Sequence, residues 1–144
     1  MSLELAQIRR RVQTRLADVK RAAAARRDRA DAAGRAYGTF LSAVAIPTFS
    51  AVAQSLSAEG YPFTVTTPGR AVRMTSDRSR LTYVEIGLDT SGPEPQIIAE
   101  VGWERGSRVF TDERPVAEGT PVDAITDEHV LARLLELLPE LVER

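Results

Sequence analysis

The stretch LTYVEIGLDTSGPEPQIIAEVGW, residues 81–103, decides the fold. Val84, Ile86 and Leu88 occupy every second position, with Tyr83 and Glu85 between them. Ile97, Ala99, Val101 and Trp103 repeat the pattern after a break at Ser91-Gly92-Pro93. Period two is the spacing of a strand with one buried face and one wet face. Glycine and proline between the two runs turn the chain back, so the strands are antiparallel neighbours.

Outward from this pair the alternation continues. Phe63 and Val65 alternate with Thr64 and Thr66, Pro68-Gly69 makes a turn, and Val72 and Met74 alternate with Arg73 and Thr75. Downstream, Arg105-Gly106 turns the chain and Val109 to Thr111 opens a fifth strand with room to extend to Val116. Consecutive strands joined by short turns make a meander. The expectation is an antiparallel sheet of four to five strands over 62–117, its uncovered face carrying Thr, Arg and Glu.

Helices flank the sheet. Residues 1–36 contain no Pro and are rich in Ala and Arg, both strong helix formers. Ser2 suits the N-cap. Leu5, Ile8, Val12, Leu16, Val19, Ala23, Ala30 and Ala33 recur in steps of three and four, with a longer gap before Ala30. A strict heptad continued from Leu5 and Ile8 lands on Arg15, Arg26 and Arg29, so the stripe is that of a straight helix rather than a long coiled coil. The pattern predicts a helix ending or bending near Gly34, a segment to about Ala45, and another helix from Pro47 to Ala58 stopped by Gly60. Thr126 caps a last helix whose apolar residues run from Val130 to Leu141, and Pro139 is expected to end or kink it. The fold class is therefore α+β in one domain: a basic helical arm over 1–36, a helical segment over 37–59, the sheet, and a C-terminal helix over 126–142 packed on one sheet face. Leu134 and Leu138, four apart, are expected to pack beside Val101 and Trp103.

A length of 144 residues suits one core. Hydrophobic residues make up 43% and charged residues 27%, the composition of a folded chain. The near-neutral total conceals a division. Residues 1–36 hold ten basic and four acidic side chains, a net of +6, and the rest hold nine basic and sixteen acidic, a net of −7. A basic arm is attached to an acidic body. A helix from Leu3 to Ala33 is about 45 Å long, whereas a compact domain of this size is about 35 to 40 Å across. The arm overhangs its domain, and a second copy is the simplest cover for its stripe.

Absence of Cys excludes a disulfide framework, a zinc ribbon and a thiol nucleophile. His129 is the one His; beside Asp123, Asp127 and Glu128 it would be the sole candidate base or ligand, but a solvated first-turn residue is the simpler reading. No G-x-S-x-G elbow occurs, and Thr67-Pro68-Gly69-Arg70 lies between strands without the Lys-Ser or Lys-Thr of a phosphate loop. The acids of the body, Asp112, Glu113 and Glu118 included, show no spacing that singles out a catalytic pair. Trp103, Phe110 and Tyr83 could line a pocket between sheet and helices, although Trp103 follows the core-facing alternation. No catalytic residue, cofactor or metal ligand is assigned.

The first expectation is a cytoplasmic, non-enzymatic interaction protein that forms a homodimer through Leu5, Ile8, Val12, Leu16 and Val19 and binds another protein. The second is nucleic-acid association through Arg9, Arg10, Arg11, Arg15, Arg26 and Arg27, weak and non-specific because these side chains circle the helix and no aromatic lies within 1–36 to stack on bases. The third is an enzyme or small-molecule binder with a pocket under the sheet. No membrane segment or secretory signal is expected, since the apolar run Phe40 to Ile46 is far shorter than the roughly 20 residues of a span. The helix–sheet–helix layout resembles that of small bacterial secretion chaperones, which are dimers that hold partner proteins. The resemblance is one of layout and carries over no residue; those chaperones interrupt their sheet with a helix, and none is expected between Phe63 and Val116.

Overall fold

The computed structural model describes residues 2–143. Helix α1 (Leu5–Phe40) passes through a π-helical turn (Leu41–Ala45) into α2 (Ile46–Ala58). Strands β1 (Phe63–Thr66), β2 (Val72–Ser76), β3 (Ser79–Asp89), β4 (Gln96–Arg105) and β5 (Arg108–Pro115) follow. A 3₁₀ turn (Val122–Ala124) leads to α3 (Asp127–Val142). The five strands form one antiparallel meander in the order β1-β2-β3-β4-β5. The architecture is the α+β arrangement that the alternation around residues 81–103 predicts.

The expected break near Gly34 does not occur. Glycine inside a helix costs about 1 kcal/mol relative to alanine. Here Ala33, Tyr37 and Phe40 are buried on either side of it, and the Gly34 carbonyl accepts a hydrogen bond from the Arg70 guanidinium at 3.0 Å. Packing of this kind outweighs the propensity penalty. Pro47 starts no separate helix either. It has no N–H to donate and its ring would crowd the preceding turn of a regular helix. The turn before it widens instead: the Ile46 N–H bonds the Leu41 carbonyl, a five-residue step. Thr48 Oγ1 donates to the Val44 carbonyl at 2.7 Å.

The wide turn also resets which residues face inward. Ala33, Tyr37 and Phe40 advance by four and three; Ala45 lies five further on, followed by Phe49, Val52 and Leu56, all buried. A regular helix would have turned Pro47, Ala51 and Ser55 toward the sheet, and these are exposed. Tyr37 anchors α1 to the sheet by donating its hydroxyl to the carbonyls of Arg70 at 2.6 Å and Ile86 at 3.3 Å.

At the N-terminus the cap is Glu4 rather than Ser2, and the Glu4 N–H bonds Gln7 Oε1 at 3.3 Å. At the other end α3 runs through Pro139 to Val142, and the Pro139 carbonyl accepts the Glu143 N–H at 3.0 Å. The inward stripe of α3 is Val130, Leu134, Leu137 and Leu141, all buried. Leu138, expected beside Leu134 in the core, is only half-buried; the 4-3-4 step places Leu137 there instead. Opposite stand Val72, Met74, Val84, Ile86, Ile97, Ala99 and Val101 on the inner sheet face. Trp103 is half-buried at the margin and stacks on Phe110 with ring centroids 5.5 Å apart.

Truncating Leu134, which is 1% exposed, to Ala should cost about 2 to 5 kcal/mol in chemical denaturation. A loss below about 0.5 kcal/mol would place α3 outside the core. Burial, chiefly, lifts the Tyr37 phenol to about 12 from an ordinary 10. The unfolded chain therefore ionises first. The phenol's contribution to stability is fully present below pH 10 and is lost as pH rises from 10 through 12, and Tyr37→Phe should reduce the slope of the stability–pH curve there.

Candidate interaction surfaces

Helix α1 touches its own domain through its last turns only; Ala33, Tyr37 and Phe40 are its buried residues. The preceding arm, residues 5–32, is about 42 Å long. Leu5, Ile8, Val12, Leu16 and Val19 are between 42% and 73% exposed. Five large apolar side chains in one row exceed the scattered exposure of an ordinary surface. Counted back from Phe40 through Tyr37, Ala33 and Ala30, steps of three and four lead to Ala23, Val19, Leu16, Val12, Ile8 and Leu5, with Arg26 in the single gap. At 100° per residue the centre of the exposed stripe lies about 50° round the helix from that of Ala33, Tyr37 and Phe40, so the stripe overlaps the buried face at Tyr37 without coinciding with it.

All six arginines with candidate nucleic-acid roles, Arg9, Arg10, Arg11, Arg15, Arg26 and Arg27, are exposed. The helix spreads them around its circumference rather than gathering them in one groove-tracking row. At 100° per residue Arg9, Arg15, Arg26 and Arg27 lie within about 60° of the centre of the apolar stripe, while Arg10 and Arg11 point away.

The second open surface is the sheet face opposite the helices. Cross-strand pairing aligns Arg73, Glu85, Glu100 and Glu113 in one row across β2 to β5. Directly opposed carboxylates repel. Arg73 Nε relieves part of this with an ion pair to Glu85 Oε1 at 2.9 Å, and its guanidinium lies 4.3 Å above the Tyr83 ring. The Tyr83 hydroxyl donates to Glu100. Burial, and secondarily this bond, raise the Tyr83 phenol to about 12. A neighbouring row pairs Tyr83 with Gly102 and Gly102 with Thr111. A Cβ at Gly102 would lie only 2.4 Å from the Tyr83 ring, so the glycine lets the tyrosine lie flat across the sheet. Glu85, Asp89, Glu100 and Glu113 surround a shallow hollow of about 390 Å³ floored by Gly87 and Ile98.

A third surface is an apolar groove of about 590 Å³ between α2 and α3, lined by Ala51, Val52, Leu56, Leu131, Leu135 and Leu138. On the α2 side exposed Ala51 meets the outer margins of buried Val52 and Leu56, and the other wall is the outer side of α3. A cleft of about 550 Å³ lies where Phe63, Ser79 and Glu104 meet Leu141 and Glu143. The cleft lies between the sheet and the end of α3, beside Trp103's neighbours Glu104 and Arg105, and Trp103, Phe110 and Tyr83 are not among its lining residues.

His129 sits in the first turn of α3, where its Nδ1 accepts the Thr126 N–H at 3.0 Å and Thr126 Oγ1 accepts the His129 N–H at 3.4 Å. This reciprocal pair is a capping box in which histidine stands where Glu or Gln is usual, and the spacing Thr126–His129 is its signal in the sequence. Among the described residues, no three His, Asp or Glu side chains are gathered as a metal site requires.

Because the first helix does not break, it contains an 18-residue window of mean hydropathy 1.4, long and apolar enough by length and composition to cross a membrane, with 28% of it buried. No family model, curated protein or solved structure matches the chain.

Replacing His129 with Ala should remove one capping bond and lower stability by about 0.5 to 1 kcal/mol, and chelator should leave the melting temperature unchanged. Stoichiometric metal by elemental analysis, or unfolding by chelator, would contradict this.

Proposed function

We propose that this protein is a non-enzymatic interaction module that self-associates through its N-terminal arm and, as a dimer, engages another protein. The observation that carries the reading is the row Leu5, Ile8, Val12, Leu16 and Val19, which is exposed yet continuous with the core-facing stripe. Fully burying one such side chain contributes about 1.5 to 3 kcal/mol, and these five are only about half exposed, so each row offers roughly 5 kcal/mol before association costs. A self-complementary contact doubles the buried surface, because each arm meets its partner once. The arm's positive charge and the body's negative charge favour arm-on-body contact over arm-on-arm contact. Exposed ion pairs add only about 0 to 1 kcal/mol each, so apolar burial supplies most of the affinity.

Light scattering should give about twice 15.8 kDa. The double variant Ile8→Asp/Val12→Asp should give the monomer mass with its helical circular dichroism retained, because neither side chain belongs to the core. A chain that stays monomeric at high concentration would end this reading. The exposed basic arm favours a second reading, nucleic-acid association. Tight, sequence-dependent retention at physiological salt would put that reading first, whereas retention that vanishes between low and physiological salt would leave it a general charge effect.

A further inference from the structure

We propose that the arm's receptor is the open face of the sheet in a second copy of this chain, so that each sheet is held between its own helices and the partner's arm. The inference rests on the self-association reading and specifies its interface.

The geometry comes first. The stripe on residues 5–19 overlaps the helix face whose Ala33, Tyr37 and Phe40 are buried against the body, its centre about 50° round from theirs. The arm therefore leaves the domain one layer above the sheet plane with its apolar side turned toward that plane. A two-fold axis lying in the sheet plane and perpendicular to α1 places the second sheet beside the first, turned over. The surface then beneath the arm is the partner's open face, and by symmetry the partner's arm lies beneath the first sheet. This contact closes on itself, as an isologous dimer must. The row from Leu5 to Val19 spans about 21 Å, no longer than the roughly 24 Å that five strands span.

The chemistry agrees. Tyr83 lying flat over Gly102, with Gly87 nearby, gives a low surface on which a helix can rest. Leu81 and Val109 are 45% and 53% exposed, and by strand alternation they flank Tyr83 and Thr111 on that face. Glu85, Asp89, Glu100 and Glu113 outnumber Arg73 on it, and Arg9, Arg15, Arg26 and Arg27 border the stripe that would meet them. The opposed carboxylates, unfavourable to one another in the isolated chain, gain cations on docking.

The test exploits the absence of Cys. Chains carrying Val12→Cys are mixed with chains carrying Thr111→Cys, allowed to exchange subunits, and oxidised. A covalent dimer between the two chain types, suppressed by Ile8→Asp in the first, is expected. Val12→Cys joined to itself would show arm-on-arm pairing, and efficient joining to Leu135→Cys would place the arm in the α2–α3 groove; either overturns this interface while leaving self-association intact. An unmodified chain that is monomeric by light scattering defeats both. Independently, Glu113→Lys should weaken dimerisation about three- to tenfold at low salt, and Arg15→Glu on the same chain should restore part of the loss. Unchanged affinity in Glu113→Lys, with its fold intact, would count against the open face.

Discussion

One extra residue in a helical turn governs how this molecule is assembled. From Leu5 to Ala58 the chain is a single helix, and it must keep one face on the sheet while passing Pro47. The π-helical turn at Leu41–Ala45 meets both demands. It accommodates a residue without an N–H, and it rotates Phe49, Val52 and Leu56 inward. Without that rotation Pro47, Ala51 and Ser55 would meet the inner sheet, where Val72, Met74 and Ile86 leave no partner for a hydroxyl. The same rotation gives α2 an outward side that, with Leu131, Leu135 and Leu138, becomes the apolar groove.

The unbroken helix also sets what the molecule can do. A break near Gly34 would have let residues 5–33 fold back on their own domain and bury their stripe. Anchored instead by Tyr37 through the carbonyls of Arg70 and Ile86, the helix projects that stripe into solvent. Charge follows the same division, with cations on the projecting part and carboxylates on the body. Surface electrostatics of this kind guide orientation and encounter, whereas burial of the stripe provides the binding free energy.

The sheet face away from the helices was legible as wet, but not as ordered. Thr, Arg and Glu at alternate positions mark a solvated side. Register then brings Glu85, Glu100 and Glu113 into line and Gly102 under Tyr83. Tyr83 and Glu100 lie 17 residues apart, and no local pattern announces that they share a hydrogen bond. Leu137 rather than Leu138 entered the core for a related reason. Both follow Leu134 at helical spacing, and the choice between three and four steps belongs to the surface they meet.

The sequence by itself determined the α+β class, the meander and the separation of a basic arm from an acidic body. These depend on local periodicity, turn residues and charge counts, which short segments express without reference to the rest of the chain. Only the tertiary structure decided that the helix continues through Gly34 and Pro47, that the exposed stripe runs on into the buried end of the same helix, and that four strands align Arg73, Glu85, Glu100 and Glu113. The physical reason is the same in each case. Local preferences there differ by about 1 to 3 kcal/mol, and long-range packing of Tyr37, Phe40 and Phe49 against the sheet is large enough to overrule them.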